Sequence, residues 1–242
     1  MRKPDMILFD YGDTLLCEPE FDALRGMHAL FPYIINNPEP CSPEKLAADS
    51  FSLFEEYADV RKMGFELHEW NLNRLLFGMH GIEFSVNEAQ IEQVYWENAC
   101  PGAVMPHAAE MLRSLNEYNI RTGVVSNIGW SSEALKHRLD RLLPGNRFEF
   151  VLTSSEYMVR KPDRRLFLAA CHKAKLAPEQ IWFCGDDYRC DVLGSAAVGM
   201  QPIWYQPETV NAGEIRKPAI KDDVDLLYIR DWCELIRVLK EI

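Results

Sequence analysis

From Pro101 onward, short apolar runs alternate with helical stretches, and few folds accommodate that alternation. The runs Arg121–Ser126, Phe148–Thr153, Ile181–Cys184, Pro202–Tyr205 and Leu226–Ile229 read as strands. His107–Tyr118, Ser132–Leu142, Asp163–Ala174 and Val192–Val198 read as helices around them, and Asp231 is placed to cap a last helix, Trp232–Ile242. A further strand, Met6–Asp10, ends in an acid, and Gly12 two residues on marks a turn. Strands that take turns with helices pair in parallel, and the helices cover both faces of the sheet. The expected fold is therefore α/β, a Rossmann-like parallel sheet.

Residues 17–100 have a different texture. Pro43–Lys62, Glu66–Met79 and Asn87–Glu97 read as amphipathic helices, with Ser42 and Asn87 able to cap two of them. Pro or Gly marks the connectors 36–40 and 80–85, and Pro101–Gly102 closes the segment. The expected organisation is an α/β core of residues 1–16 and 101–242 interrupted by an all-helical insertion, 17–100. Trp70 and Trp96 belong to the insertion's own core in this view, while His28, His68, His80 and the Arg61–Lys62 pair are surface groups.

Composition excludes several classes of partner. A formal net charge of −11 argues against nucleic acid, which needs a basic face. No apolar run approaches the ~20 residues of a membrane span. The first apolar run is interrupted by Asp10 and Asp13, unlike a signal peptide. The cysteines number seven and form no CxxC pair, so reduced thiols in a cytoplasmic setting are expected rather than disulfides or zinc. Nothing in the pattern sets an oligomeric state.

Asp10, Ser126 and Asp186 fall at the carboxyl ends of expected strands, and Lys161 precedes a helix. Ligands of open parallel sheets bind beyond those ends, so these residues converge. A carboxylate there can attack an electrophile. The Ser126–Asn127 turn offers a hydroxyl and backbone N–H groups to phosphoryl oxygens, and Lys161 offers a positive charge. A second carboxylate, Asp186, makes a hard, oxygen-rich site suited to Mg2+.

ILFDYGDTL, VVSN, VRKPDRRLF and FCGDDYRCDVLGSAAVGM resemble the four ordered motifs of the haloacid dehalogenase-like hydrolases, across residues 6–200. The insertion sits where that family's C1-type cap belongs. The resemblance implies Asp10 as nucleophile and magnesium ligand, with the Gly12 carbonyl as a second ligand. It implies Ser126 as hydrogen-bond donor to the phosphoryl group, Lys161 as charge stabiliser and Asp186 as metal ligand. Asp191 would support the metal through water or orient Lys161. Asp187, beside Asp186, reads either as an outer support of the metal ligands or as merely structural.

One position departs from the family pattern. Phosphatase members carry an acid two residues after the nucleophile; here that place is Gly12 and the acid stands one later, at Asp13. Either the turn brings Asp13 in as acid and base, or that step is slow. The implied activity is a magnesium-dependent phosphatase acting on a small phosphorylated metabolite through an aspartyl-phosphate. Two alternatives stand beside it: dehalogenation through an aspartyl ester, and a binding or regulatory protein with little turnover. Gly12 suits a dehalogenase, but the paired acids of GDDYRCD favour phosphoryl chemistry.

Overall fold

The computed structural model describes residues 2–207 and 224–242. The first strand, β1 (Met6–Phe9), is four apolar residues, all buried. The chain leaves it through β2 (Leu16–Cys17) and enters α1 (Ala23–Leu30), β3 (Ile34–Asn36), α2 (Pro43–Glu56), α3 (Ala58–Lys62) and α4 (Glu69–Met79). Then follow β4 (Glu83–Phe84), α5 (Glu88–Ala99) and β5 (Ala103–Val104), which pairs antiparallel with β2. The two ends of the segment therefore lie side by side.

Ser42 and Asn87 cap α2 and α5 as expected, Asn87 within a full capping box. Other features depart from the sequence expectations. The long helix expected over 43–62 breaks at Tyr57, whose backbone (φ −93, ψ 7) leaves the helical region. The helix expected from Glu66 begins only at Glu69. Phe65 instead bridges Val159, and the Glu66 N–H donates to the Met158 carbonyl at 2.9 Å. The segment is not wholly helical either, because β3 and β4 form a small antiparallel ribbon. α1, which the sequence pattern did not announce, is capped by Asp22. It lies close against α5: a Cβ at Gly26 would meet the Tyr95 ring at 2.6 Å.

His80 corrects a second expectation. It is buried rather than at the surface, with Nε2 2.8 Å from Asp49 and Nδ1 3.3 Å from the Cys41 sulfur. Both ring nitrogens have polar partners, so burial leaves no unpaired group. Trp96 is buried, but against the α/β part and not within the insertion's own core. It stacks on Trp130, centroids 4.9 Å apart, with the Arg138 guanidinium over its ring. Trp70 is half-buried and donates its indole N–H to Glu92 at 2.9 Å.

The remaining chain builds the sheet. α6 (Ala108–Glu117), β6 (Arg121–Ser126), α7 (Ser132–Leu142), β7 (Phe148–Thr153), the short α8 (Ser154–Tyr157) and α9 (Arg164–Ala174) lead to β8 (Ile181–Gly185). The helix expected at 192–198 is instead a π-turn, Tyr188–Leu193, running into α10 (Gly194–Ala196). β9 (Gln201–Tyr205), β10 (Leu227–Ile229) and α11 (Trp232–Glu241) complete the described chain. Part of the polar loop after β9 lies outside the described residues.

The sheet has the order β10-β9-β8-β1-β6-β7. Every pairing in it is parallel. Alternation along β1 sends Ile7 and Phe9 to one apolar cluster, and Met6 and Leu8 to the other, on the side of α9. The first cluster runs on without a break into Met27, Leu46 and Leu76 of the helical segment. Strand order diverges on either side of β1, which places a ligand crevice beyond its carboxyl end. Among the described residues no helix is long and apolar enough to cross a membrane.

Candidate active site

Asp10 follows β1 directly, its N–H held by the Cys184 carbonyl at 2.8 Å. Ser126 ends β6 and Asp186 follows the last residue of β8. Lys161 arrives from the loop before α9, and its ammonium lies 2.7 Å from Asp10 Oδ1 and 2.7 Å from Asp191 Oδ1. The structure thus brings together Asp10, Lys161, Asp186 and Asp191. Ser126 and Asn127 line the same cavity as Asp10. The Asn127 side chain is occupied by Lys161: its Nδ2 donates to the Lys161 carbonyl at 3.0 Å, and its Oδ1 accepts from the Lys161 N–H at 2.7 Å. What this turn leaves for a ligand is the Ser126 hydroxyl and the backbone.

Asp191 reaches the site because the π-turn folds back over β8. A Cβ at Gly185 would sit 2.2 Å from Asp191 Oδ2, so only glycine leaves room for that carboxylate. Asp187 shapes the same turn, its Oδ1 accepting from the Cys190 N–H at 2.7 Å and its N–H donating to Asp191 Oδ2 at 3.1 Å. Asp186 is fixed by its backbone, whose carbonyl accepts from the Trp204 indole at 2.9 Å and the Gln206 amide at 2.8 Å. Cys184 is fully buried in the apolar core.

Negative charge exceeds positive charge here. Carboxylate oxygens of Asp10, Asp186 and Asp191 all lie within 4.8 Å of one another. Burial, with repulsion from Asp10, Asp191 and Asp13, pushes the Asp186 carboxyl up to about 8. Burial also raises Asp191, against the pull of Lys161. Burial opposes the Lys161 charge too, but Asp10 and Asp191 outweigh it and hold the ammonium more firmly than usual. One ammonium does not balance four acids, and the imbalance suits a hard divalent cation.

Gly12 and Asp13 both line the cavity. Asp13 adopts a left-handed backbone (φ 51), and burial together with Asp10 raises its carboxyl. A Cβ at Gly12 would meet nothing within 4 Å.

Beyond these residues the cavity, about 710 Å3, is walled by the helical segment. Phe51, Phe54, Tyr57 and Tyr95 contribute rings, and Trp130 adds one from the core. Arg61, expected as a surface charge, also lines it, with Nε 3.4 Å from buried Glu66. Glu66 further pairs with Arg160 and accepts from the Ser154 hydroxyl at 2.8 Å. Lys62 remains at the surface beside Asp59. Sequence reasoning missed the cavity wall because its rings read as core. The available signal lay in α2, where Phe51 and Phe54 form a second apolar side apart from buried Leu46 and Leu53.

Comparison with known proteins shows the family of the chain and its fold. A family model described as haloacid dehalogenase-like hydrolase matches residues 4–199. The haloacid dehalogenase-like hydrolase domain-containing protein 3 of Bos taurus is 32% identical over 172 residues, 66% of this chain and 63% of that protein. The chain thus spans a little under two thirds of that relative's length. The glyceraldehyde 3-phosphate phosphatase of Methanothermobacter thermautotrophicus is 26% identical over 96% of this chain and 98% of its own. A HAD phosphatase from Thermococcus onnurineus shares the fold, with a TM-score of 0.60 and 21% identity over 97% of each chain.

Proposed function

Because the chain belongs to the haloacid dehalogenase-like hydrolases, we propose that it is a magnesium-dependent phosphatase working through an aspartyl-phosphate on Asp10. The observation that carries this reading is the gathering of the Asp10, Asp186 and Asp191 carboxylates, with the Lys161 ammonium paired to Asp10 and Asp191. In this reading residues 17–100 cap a core of residues 1–16 and 101–242.

The donor set fits Mg2+: carboxylate oxygens of Asp10 and Asp186 and the Gly12 carbonyl would hold it, with Asp191 in support through water or Lys161. When bound, the ion offsets repulsion between the acids and the anionic substrate. A dehalogenase expels halide from a neutral carbon and has less use for such a cluster of acids.

The chain's own groups divide the work. Lys161 holds Asp10 Oδ1 and leaves Oδ2 to attack phosphorus. The bond from phosphorus to the ester oxygen breaks as the Asp10–phosphorus bond forms. The Ser126 hydroxyl donates to a phosphoryl oxygen. Asp13, whose hold on its proton is strengthened by burial and by Asp10, gives a proton to the departing oxygen. It then takes a proton from the water that cleaves the aspartyl-phosphate, releasing inorganic phosphate.

The experiment is phosphate release from p-nitrophenyl phosphate and a phosphometabolite panel, with magnesium and with EDTA. Wild type should turn over only with magnesium, and Asp10→Asn should lose at least about a hundredfold in rate while keeping its circular dichroism. Turnover that survives EDTA, or that survives Asp10→Asn, would reject the reading.

A further inference from the structure

We propose that the organic part of the substrate is a flat ring bearing an N–H donor, stacked among Phe21, Phe51 and Phe54 and hydrogen-bonded to Glu69. This rests on the phosphatase reading and names the substrate class for the same cavity.

Three observations lead to it. First, Phe21, Phe51 and Phe54 line the cavity, yet they are 50%, 65% and 41% exposed. Such surface is costly to leave wet, and a ligand that covers it recovers the hydrophobic gain. Aromatic faces favour a flat partner, which stacks on them. The Arg61 guanidinium, 4.9 Å from the centre of the Phe54 ring, closes one side of this wall.

Second, the acids on the wall are not equivalent. Glu18 accepts from Arg138 at 2.7 Å, from the Tyr11 hydroxyl at 2.7 Å and from the Trp96 indole at 3.1 Å. Glu66 is engaged by Arg160 and Ser154. Glu69 is anchored by its backbone alone, its N–H donating to the Gly129 carbonyl at 2.8 Å. Among the described residues nothing hydrogen-bonds its carboxyl, whose charge is opposed by burial and by Glu92 and Glu66 and only partly favoured by Arg61. A donor on the ligand would complete it.

Third, the cavity is larger and less polar than a short sugar phosphate requires. At about 710 Å3 it falls in the range of pockets that enclose drug-sized molecules. A bare sugar phosphate would leave the exposed faces of Phe21, Phe51 and Phe54 uncovered.

The test compares adenosine 5′-monophosphate with ribose 5-phosphate, which share the phosphate and the sugar and differ by the ring. Calorimetry with magnesium on full-length Asp10→Asn measures binding without turnover, and phosphate release from wild type measures chemistry. Adenosine monophosphate should bind roughly tenfold or more tightly than ribose 5-phosphate, as stacking on aromatic side chains predicts. Phe51→Ala and Glu69→Met, each placed on the Asp10→Asn background, should narrow that gap. Phe51 is surface-exposed, so its variant is expected to fold. Equal binding of the two ligands, or a gap that neither variant narrows, would overturn the proposal. Ring-selective binding without any phosphate release from wild type would support the ring subsite and reject the phosphatase reading.

Discussion

The side-chain amide of Asn127 grips the peptide of Lys161 from both ends, accepting from its N–H at 2.7 Å and donating to its carbonyl at 3.0 Å. Asn127→Ala should therefore act through Lys161 and not through substrate affinity. A small misplacement of a reacting group costs up to about a hundredfold in rate, so kcat should fall about ten- to a hundredfold with KM little changed. Steady-state kinetics decide this. A rise in KM at constant kcat would instead mean that Asn127 binds substrate directly.

Gly185→Ala should be more damaging than Gly12→Ala. The first places a methyl 2.2 Å from Asp191 Oδ2, and the second points into open space. Overpacking of this sort costs about 1–3 kcal/mol, and the displaced Asp191 should weaken magnesium binding. Chemical denaturation and magnesium titration of the two variants measure both effects. A Gly185→Ala protein with wild-type stability and magnesium affinity would contradict the assignment.

The strands were legible in the sequence, though not their order in the sheet, because buried parallel strands are short apolar runs with turn residues between them. Arg121–Ser126 and Phe148–Thr153 lie where the pattern puts them. Asp10, Ser126 and Asp186 were legible for the same reason, since each marks a strand end. The ring-lined wall was not. A phenylalanine facing a cavity and one facing a core have the same hydrophobicity, so the second apolar side of α2 set Phe51 apart from Leu53 without saying which of the two it faced. The extended stretch around Phe65 was hidden too, because its partner, Val159, is distant in the chain.

Asp13 and Gly12 can be separated by leaving-group dependence. Asp13→Asn should slow hydrolysis of alkyl phosphates by about 10²–10⁴-fold, the usual worth of general acid–base help. Aryl phosphates, whose anions leave without a proton, should lose much less in the first step. Gly12→Asp has the room to be tolerated and should recover part of the alkyl rate in the Asp13→Asn background. Equal losses on both ester classes would point to a structural role for Asp13.

Glu69 should make stability depend on pH. Burial, with Glu92 and Glu66 nearby and Arg61 only partly compensating, pushes its carboxyl up from the ordinary value of 4.5 to about 7. Between those values the folded chain binds more protons than the unfolded one, so this contribution to stability falls as pH rises. It is fully present below pH 4.5 and gone above about 7. Glu69→Gln should lack that slope and gain on wild type as pH rises across the window. Urea denaturation at pH 5 and pH 8 tests it, and parallel stabilities at the two pH values would refute it.

Arg160 and Lys161 are consecutive, yet they answer to different parts of the molecule. Arg160 is paired with Glu66 of the helical segment, and its N–H donates to the Gly64 carbonyl at 3.0 Å. Lys161 is paired with Asp10 of the sheet. A single peptide bond is thus all that separates the grip on the helices from the charge beside Asp10. Any movement of the helical segment that carried Gly64 and Glu66 with it would therefore reach the backbone from which the Lys161 side chain extends to Asp10, so the two parts of the chain meet in one short stretch of backbone.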